Sequence, residues 1–221
     1  MSAKETAKRY ILFIIGLFIS GIGVAITKAG DLGVSPISSV PNVISIKFDF
    51  LSMGNWLIIW NCILIVGQII ILRKEFKWIQ LLQVPLSFLF GYFTDFGLWI
   101  MSFIPMDNYV IRISEVIVGT IVLGVGISFA VIANVIMNSG EAFVKAISDT
   151  IHKDFGNVKI GFDISCVVLS IIISIFLFGG KIEGTREGTI IAAIFTGIVV
   201  KISSKIFRKG LTGLVKDKKA K

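Results

Sequence analysis

Cysteine, histidine and proline are scarce in this chain. Its 221 residues include two cysteines, one histidine and four prolines. Cys62 and Cys166 each lie inside an apolar run, so they form neither a disulfide framework nor a CxxC metal motif. His152 has no cluster of cysteine, histidine or carboxylate residues at ligand spacing. The sequence therefore predicts no metal site.

Charged residues and catalytic motifs are also sparse. Charged side chains make up 16% of the chain, compared with about 25% in an average soluble protein. No P-loop, nucleophile elbow or HExxH motif occurs, which disfavours an ATP-driven pump and a membrane protease. We expect neither an enzyme nor a bound cofactor.

Long apolar segments are abundant. Hydrophobic residues make up 55% of the chain, and its mean hydropathy is +0.90. A membrane-spanning helix needs about 20 mainly apolar residues. Six segments approach this length: residues 10–27, 50–72, 79–103, 113–133, 160–178 and 188–207. The first lacks an A-x-A-like cleavage site, so we expect it to remain as a helix. The sequence predicts an all-α polytopic membrane protein with six transmembrane helices.

The distribution of lysine and arginine predicts the orientation of these helices. With the N-terminus inside, 17 of these residues lie on the cytoplasmic side and five lie outside. Such a bias favours cytoplasmic N- and C-termini. Much of the net charge of +8 lies in the basic tail, residues 209–221, and just before it. We expect this tail to contact anionic membrane lipid and not nucleic acid.

Two connections between the spans are long enough to hold a helix. In residues 35–47, polar side chains recur at helical spacing opposite an apolar face. In residues 139–152, Glu141, Lys145 and Asp149 form a similar polar face. Each segment is expected to be either an amphipathic helix on the membrane surface or a re-entrant half-helix.

An internal repeat relates the two halves of the chain. The glycine pattern of residues 16–23 recurs in residues 119–126, at a shift of 103. The same order of one span, a long connection and two spans occurs twice. We therefore predict one repeat over residues 1–106 and a second over residues 107–208. Three spans are an odd number, so the second repeat is inverted, as in many secondary transporters.

Three short stretches point to a known family. Leu32–Pro36, Met53–Trp56 and Gly184–Thr189 resemble the YczE/YyaS/YitT group of bacterial integral membrane proteins. The resemblance implies a multi-pass protein of the bacterial inner membrane. Relatives in this group have been described mainly as exporters or transporters, but the resemblance implies no particular substrate.

The polar faces of the two inserted helices are the candidate substrate site. Ser35 and Ser139 suit the N-cap position, and helix N-termini favour anionic or strongly polar groups. If the two N-termini meet near the midplane, the predicted substrate-binding residues are Ser35, Ser38, Ser39, Asn42, Asn138, Ser139, Glu141 and Lys145. Capped helices at the membrane surface are the alternative.

Asp95 is the candidate proton-coupling residue. It lies within the third span among aromatic residues, where an unpaired carboxylate is costly. The alternative is that this span ends early and Asp95 lies near the outer headgroups. Other polar residues within the apolar runs are expected to form hydrogen bonds between helices: Asn61, Gln68, Gln83 and Asn134.

These features favour a secondary transporter. We expect export of a small polar or anionic organic solute by alternating access between the inverted repeats. The alternative is a non-transporting accessory or scaffold protein that assists a partner. A transporter requires a polar cavity lined by the inserted helices, whereas a scaffold is packed solid there. Six spans form a small bundle, so a homodimer that completes the transport route is also considered.

Overall fold

Six of the α-helices are long and apolar enough to cross a membrane, as predicted. The computed structural model describes residues 2–105 and 108–215, which contain helices and no strands. The long helices are α1 (Ala3–Ala29), α3 (Met53–Leu72), α4 (Gln83–Met101), α5 (Tyr109–Ala133), α7 (Phe155–Leu177) and α8 (Glu187–Val215). Two shorter helices, α2 (Pro36–Lys47) and α6 (Ser139–Ile151), occupy the long connections. Short 3-10 helices at Arg73–Glu75 and Trp78–Leu82 join α3 to α4.

The helix ends differ from the predicted ones where charged residues extend a helix. Helix α1 begins at Ala3, because Ser2 caps it and Arg9 pairs with Glu5 one turn earlier. Arg9 also donates a hydrogen bond to the carbonyl of Ala133, at the end of α5. Helix α8 continues to Val215, into the predicted basic tail. The predicted repeat boundary at residues 106 and 107 and the tail residues 216–221 lie outside the described residues.

Helices α1 and α5 cross antiparallel at the centre of the fold. A Cβ atom added at Gly16 would lie 2.8 Å from the carbonyl oxygen of Gly126, and one added at Gly119 would lie 2.9 Å from that of Gly23. Only glycine allows two helix backbones to approach this closely. The glycines that the sequence repeats are therefore the contact surface of the two central helices.

Two further helices pack on this central pair. Helix α4 lies against α1, where Gly21 faces the backbone of Thr94. Helix α8 lies against α5, where Gly124 faces Val199. In each half of the chain, the last long helix therefore packs against the first long helix.

The short helices pack mainly on the opposite half of the chain. Helix α2 contacts α7, where the Ser39 hydroxyl donates to the carbonyl of Cys166 (3.3 Å). Helix α6 contacts α3, where Phe143 lies against Gly67. The first turns of α2 and α6 also meet, because the side chain of Ile37 lies against Gly140.

Substitution of Gly23 tests the central crossing. In Gly23→Ala the added carbon would lie 2.4 Å from the backbone nitrogen of Leu123. Because this overpacks the crossing, we expect the free energy of unfolding to fall by about 1–3 kcal/mol. Gly161→Ala in α7 is the matched control, since no atom outside the adjoining residues and the local helix backbone lies within 4 Å of its added carbon and alanine favours a helix. Thermal unfolding midpoints in detergent measure both variants. Equal midpoints would contradict the close crossing.

Candidate functional site

A cavity of about 410 Å³ lies between α1, α5, α6 and the connection from α3 to α4. Apolar residues of α1 and α5 form much of its wall, including Leu17, Ile127 and Val131. Exposed charged residues, Lys77, Lys145 and Asp149, mark its mouth. The polar lining residues are Ser20, Lys77, Gln80, Gln83, Asn134, Asn138, Glu141, Lys145 and Asp149.

Three of the predicted site residues in the second half line this cavity. Asn138, and not the predicted Ser139, is the N-cap of α6, and its side chain accepts a hydrogen bond from the backbone N–H of Ser139 (3.0 Å). Glu141 follows in the first turn, and Lys145 follows one turn later. Lys145 donates to Asp149 (2.5 Å), with both side chains about half exposed. Helix α6 thus presents a continuous polar face to the cavity.

Among the charged side chains on this face of α6, Glu141 has the fewest hydrogen bonds and ion pairs to compensate its charge. Its Oε2 atom is buried and has no hydrogen-bond partner among the described residues. Burial raises the pKa of Glu141. The positive charge of Lys159 and a hydrogen bond from the backbone of Glu141 itself oppose the rise, and the negative charge of Asp163 adds to it. A carboxyl group in this setting favours its protonated form or a bound cation.

A buried network of uncharged side chains supports the start of α6. Gln68 and Gln83 exchange two hydrogen bonds of 3.0 Å, which confirms that these residues join helices. Gln68 also donates to the carbonyl of Ser139 (3.2 Å), and the hydroxyls of Ser139 and Ser87 are 3.2 Å apart. Ser139 therefore lies behind the cavity wall, while Gln83 reaches the lining. Asn61 behaves differently, because its buried Nδ2 has no partner among the described residues.

The four predicted site residues of the first half do not line the cavity. Asn42 accepts a hydrogen bond from the Lys28 ammonium (2.6 Å) and donates one to the carbonyl of Gly184 (2.6 Å). Ser38 and Ser39 are buried, and the Ser35 hydroxyl donates to that of Ser38 (3.0 Å). The structure therefore places the two halves of the predicted site in separate environments, one open and one packed.

Asp95 caps the beginning of α3 and does not line the cavity. It accepts hydrogen bonds from the Ser52 hydroxyl (2.5 Å) and the backbone N–H of Gly54 (2.7 Å). These contacts give the carboxylate a structural partner at a helix N-terminus. Its coupling to protons stays a prediction.

Sequence reasoning missed several groups that matter to the geometry. In the sequence, Lys77 and Lys28 contribute only to the predicted orientation of the helices. In the structure, Lys77 lies at the cavity mouth and Lys28 lies in the packed region around α2. The connection around Gly184 had no assigned role. The polar face of α2 identifies Asn42 as a candidate site residue. No sequence signal indicates that the backbone carbonyl of Gly184 packs against this face and accepts a hydrogen bond from Asn42.

Gln68 provides a test of the buried network. Gln68→Ala leaves the Gln83 amide buried without its partner, so we expect the free energy of unfolding to fall by about 1–3 kcal/mol. The double variant Gln68→Leu with Gln83→Leu removes both polar groups and is expected to lose less. Thermal unfolding midpoints in detergent compare the two. A double variant that unfolds below the single one would contradict the reciprocal pairing.

Glu141 makes the stability of the fold depend on pH. Since its pKa is raised by burial, the folded protein keeps this proton at pH values where the unfolded chain has lost it. Stability from this group therefore falls as pH rises from the unfolded pKa toward the folded one. Glu141→Gln removes that loss, so its unfolding midpoint should exceed that of the wild type by more at about pH 8 than at about pH 5. A difference that is constant with pH would contradict the assignment.

Comparison with known proteins supports the membrane assignment. A model for a family of unknown function, DUF6198, matches residues 7–205. The chain is 26% identical over 201 residues to the uncharacterized membrane protein YczE of Bacillus subtilis (strain 168), across 90% of this chain and 87% of that relative. No solved structure matches the chain. The family match covers most of the chain, and with six apolar helices the chain belongs to the DUF6198 family of YczE-like, multi-pass membrane proteins.

Proposed function

We propose that this protein is a secondary transporter that moves a small polar organic solute by alternating access between two inverted repeats. One observation carries the proposal: a cavity is open beside α6, while the corresponding region beside α2 is packed shut. An asymmetry of this kind is what one conformation of a two-state transporter requires.

The glycine contacts support the inverted repeat. A shift of 103 turns Gly16 into Gly119 and Gly23 into Gly126. The contact of Gly16 with Gly126 thereby becomes the contact of Gly119 with Gly23, and both contacts are present. The helix pairs exchange in the same way, since α1 packs on α4 as α5 packs on α8, and α2 packs on α7 as α6 packs on α3. Two antiparallel copies of one unit account for this pattern.

The meeting of the short helices supports their assignment as re-entrant half-helices. Ile37 and Gly140 also correspond at the shift of 103, and they contact each other. Equivalent residues of two related units can touch only near the axis that relates the units. In the proposal, α2 and α6 therefore enter the membrane from opposite faces, with their first turns meeting at the centre.

In the proposal, the conformation is defined by which half of the chain is open to a cavity and which half is packed. Ala142, although buried, and Lys145 line the cavity, whereas their counterparts Ser39 and Asn42 are buried and do not line it. The connection from α7 to α8 closes the packed side, because the Gly188 N–H donates to the carbonyl of Leu32 (2.8 Å), besides the bond between Asn42 and Gly184. The matching connection from α3 to α4 leaves the cavity open.

The distribution of positive charge supports the proposal of which side of the membrane the open cavity faces. The cavity mouth carries Lys77 and Lys145, which lie on the side predicted to be cytoplasmic. The proposed conformation is therefore open to the cytoplasm, ready to load a solute for export. Opening to the other face requires the hydrogen bonds of Asn42 with Lys28 and Gly184 to break. The accessory-protein alternative does not require this change, and a homodimer stays a prediction.

Cysteine accessibility tests alternating access with a matched pair of positions. Ser39→Cys and Ala142→Cys occupy equivalent places in the two halves, and each is made in a protein with Cys62→Ala and Cys166→Ala. A membrane-impermeant maleimide is applied from either side of oriented vesicles. We expect Ala142→Cys to react from the cytoplasmic side and Ser39→Cys to react, more slowly, from the outer side.

The two labelling patterns separate the functions. A transporter visits the outward-open state, so Ser39→Cys must become accessible in part of the population. A scaffold keeps this position packed, and complete protection of Ser39→Cys while Ala142→Cys reacts would overturn the proposal. The thermal unfolding midpoint of the background without native cysteines, measured separately, shows that this background is folded.

A further inference from the structure

We propose that Glu141 binds the positively charged group of the solute, an organic ammonium or guanidinium ion, and that a proton competes with this ion for the carboxylate. This inference rests on the proposed transport function and names the substrate class of the same cavity. It also places the coupling group on α6 instead of at Asp95.

The charges around Glu141 leave its carboxylate available. From α7, Lys159 faces it but donates to both carboxylate oxygens of Asp163, at 2.5 and 2.6 Å. On α6 itself, Lys145 is paired with Asp149. From the connection between α3 and α4, Lys77 lies exposed at the mouth, where water and salt screen its charge. The α1, α3, α4 and α5 residues of the cavity wall are uncharged.

The geometry argues against an anionic solute. The Glu141 carboxylate occupies the first turn of α6, and the Asn138 side chain takes up the N–H of Ser139. An anion at this helix start would meet the carboxyl group of Glu141 in place of free N–H groups. The N-terminus of α2 does not reach the cavity lining. For an anionic solute the cavity therefore offers only Lys77 and the paired Lys145, both at its exposed mouth.

The rest of the cavity fits an organic cation with an apolar part. Its volume of about 410 Å³ lies within the usual range for small-molecule sites, about 300–1,000 Å³. The wall residues Leu17, Ile127 and Val131 offer apolar contact, and Gln83 and Asn134 offer amide groups for hydrogen bonds. Only Glu141 combines burial with an unpartnered oxygen among the described lining residues.

Competition at one carboxylate provides the coupling. Burial raises the pKa of Glu141, which shifts its carboxyl toward the protonated form in the empty cytoplasm-facing cavity. When the organic cation binds, the carboxyl releases its proton to the cytoplasm and the carboxylate pairs with the cation. After the change to the outward-facing state, an external proton returns to the carboxylate and the cation leaves. One proton enters for each cation exported, and no covalent bond other than O–H changes.

Proton release on binding tests the inference directly. Purified protein in a weakly buffered detergent solution with a pH indicator is mixed with tetraethylammonium, tetrabutylammonium, benzylamine or agmatine, and with benzoate as the anionic control. We expect at least one of the cations to release up to about one proton per protein, and benzoate to release none. In Glu141→Gln the release should vanish and the affinity for that cation should fall at least roughly tenfold.

Three variants make the outcome specific. Glu141→Asp keeps a carboxylate and should retain release with weaker binding. Glu115→Gln, on α5 outside the cavity lining, should release protons as the wild type does. Asp95→Asn should also release them. Failure of all four cations to displace a proton from the wild type, or loss of release in Asp95→Asn with retention in Glu141→Gln, would overturn the inference.

The two proposals can fail separately. Labelling of Ser39→Cys from the outer side does not depend on the charge of the solute. If that labelling occurs without cation-dependent proton release, transport by alternating access stands and the role of Glu141 falls. If release occurs but Ser39→Cys stays protected, the cavity binds cations without transporting them.

Discussion

The close antiparallel crossing of α1 and α5 is the contact on which the rest of the structure depends. Gly16 and Gly23 of one helix meet Gly126 and Gly119 of the other, backbone against backbone. Lipid provides no hydrophobic drive for two apolar helices to associate, so tight packing of small residues must hold them together. Helices α4 and α8 are then mounted on the outer sides of this pair. The two central helices thereby fix the positions of α4 and α8 directly.

The short helices α2 and α6 have different surroundings. Both pack mainly onto the opposite half, and their first turns touch. Around α2, side-chain and backbone groups satisfy one another, since Asn42 bridges Lys28 and Gly184. Around α6, the corresponding polar residues face a cavity. The same architecture therefore contains one closed and one open half.

Polar groups inside this apolar fold fall into two classes. Gln68, Gln83 and Ser139 satisfy one another, which is what burial of uncharged polar groups demands. Glu141 does not follow that rule, because its Oε2 atom is buried without a partner among the described residues. An uncompensated buried carboxyl costs stability, and such a cost is expected where a group must bind and release a ligand. Asp95, with two donors at the start of α3, belongs to the satisfied class.

The sequence alone determined the elements of this protein. Apolar length specified six long helices, and helical periodicity in the connections specified α2 and α6, because both patterns are local. The ends were less predictable, since α8 continues through Arg208 and Lys209, which also favour a helix. Only the tertiary structure decided which polar face is filled. Ser38 and Glu141 occupy equivalent positions in the proposed repeat, but the neighbours that pack against α2 and leave α6 open come from distant parts of the chain.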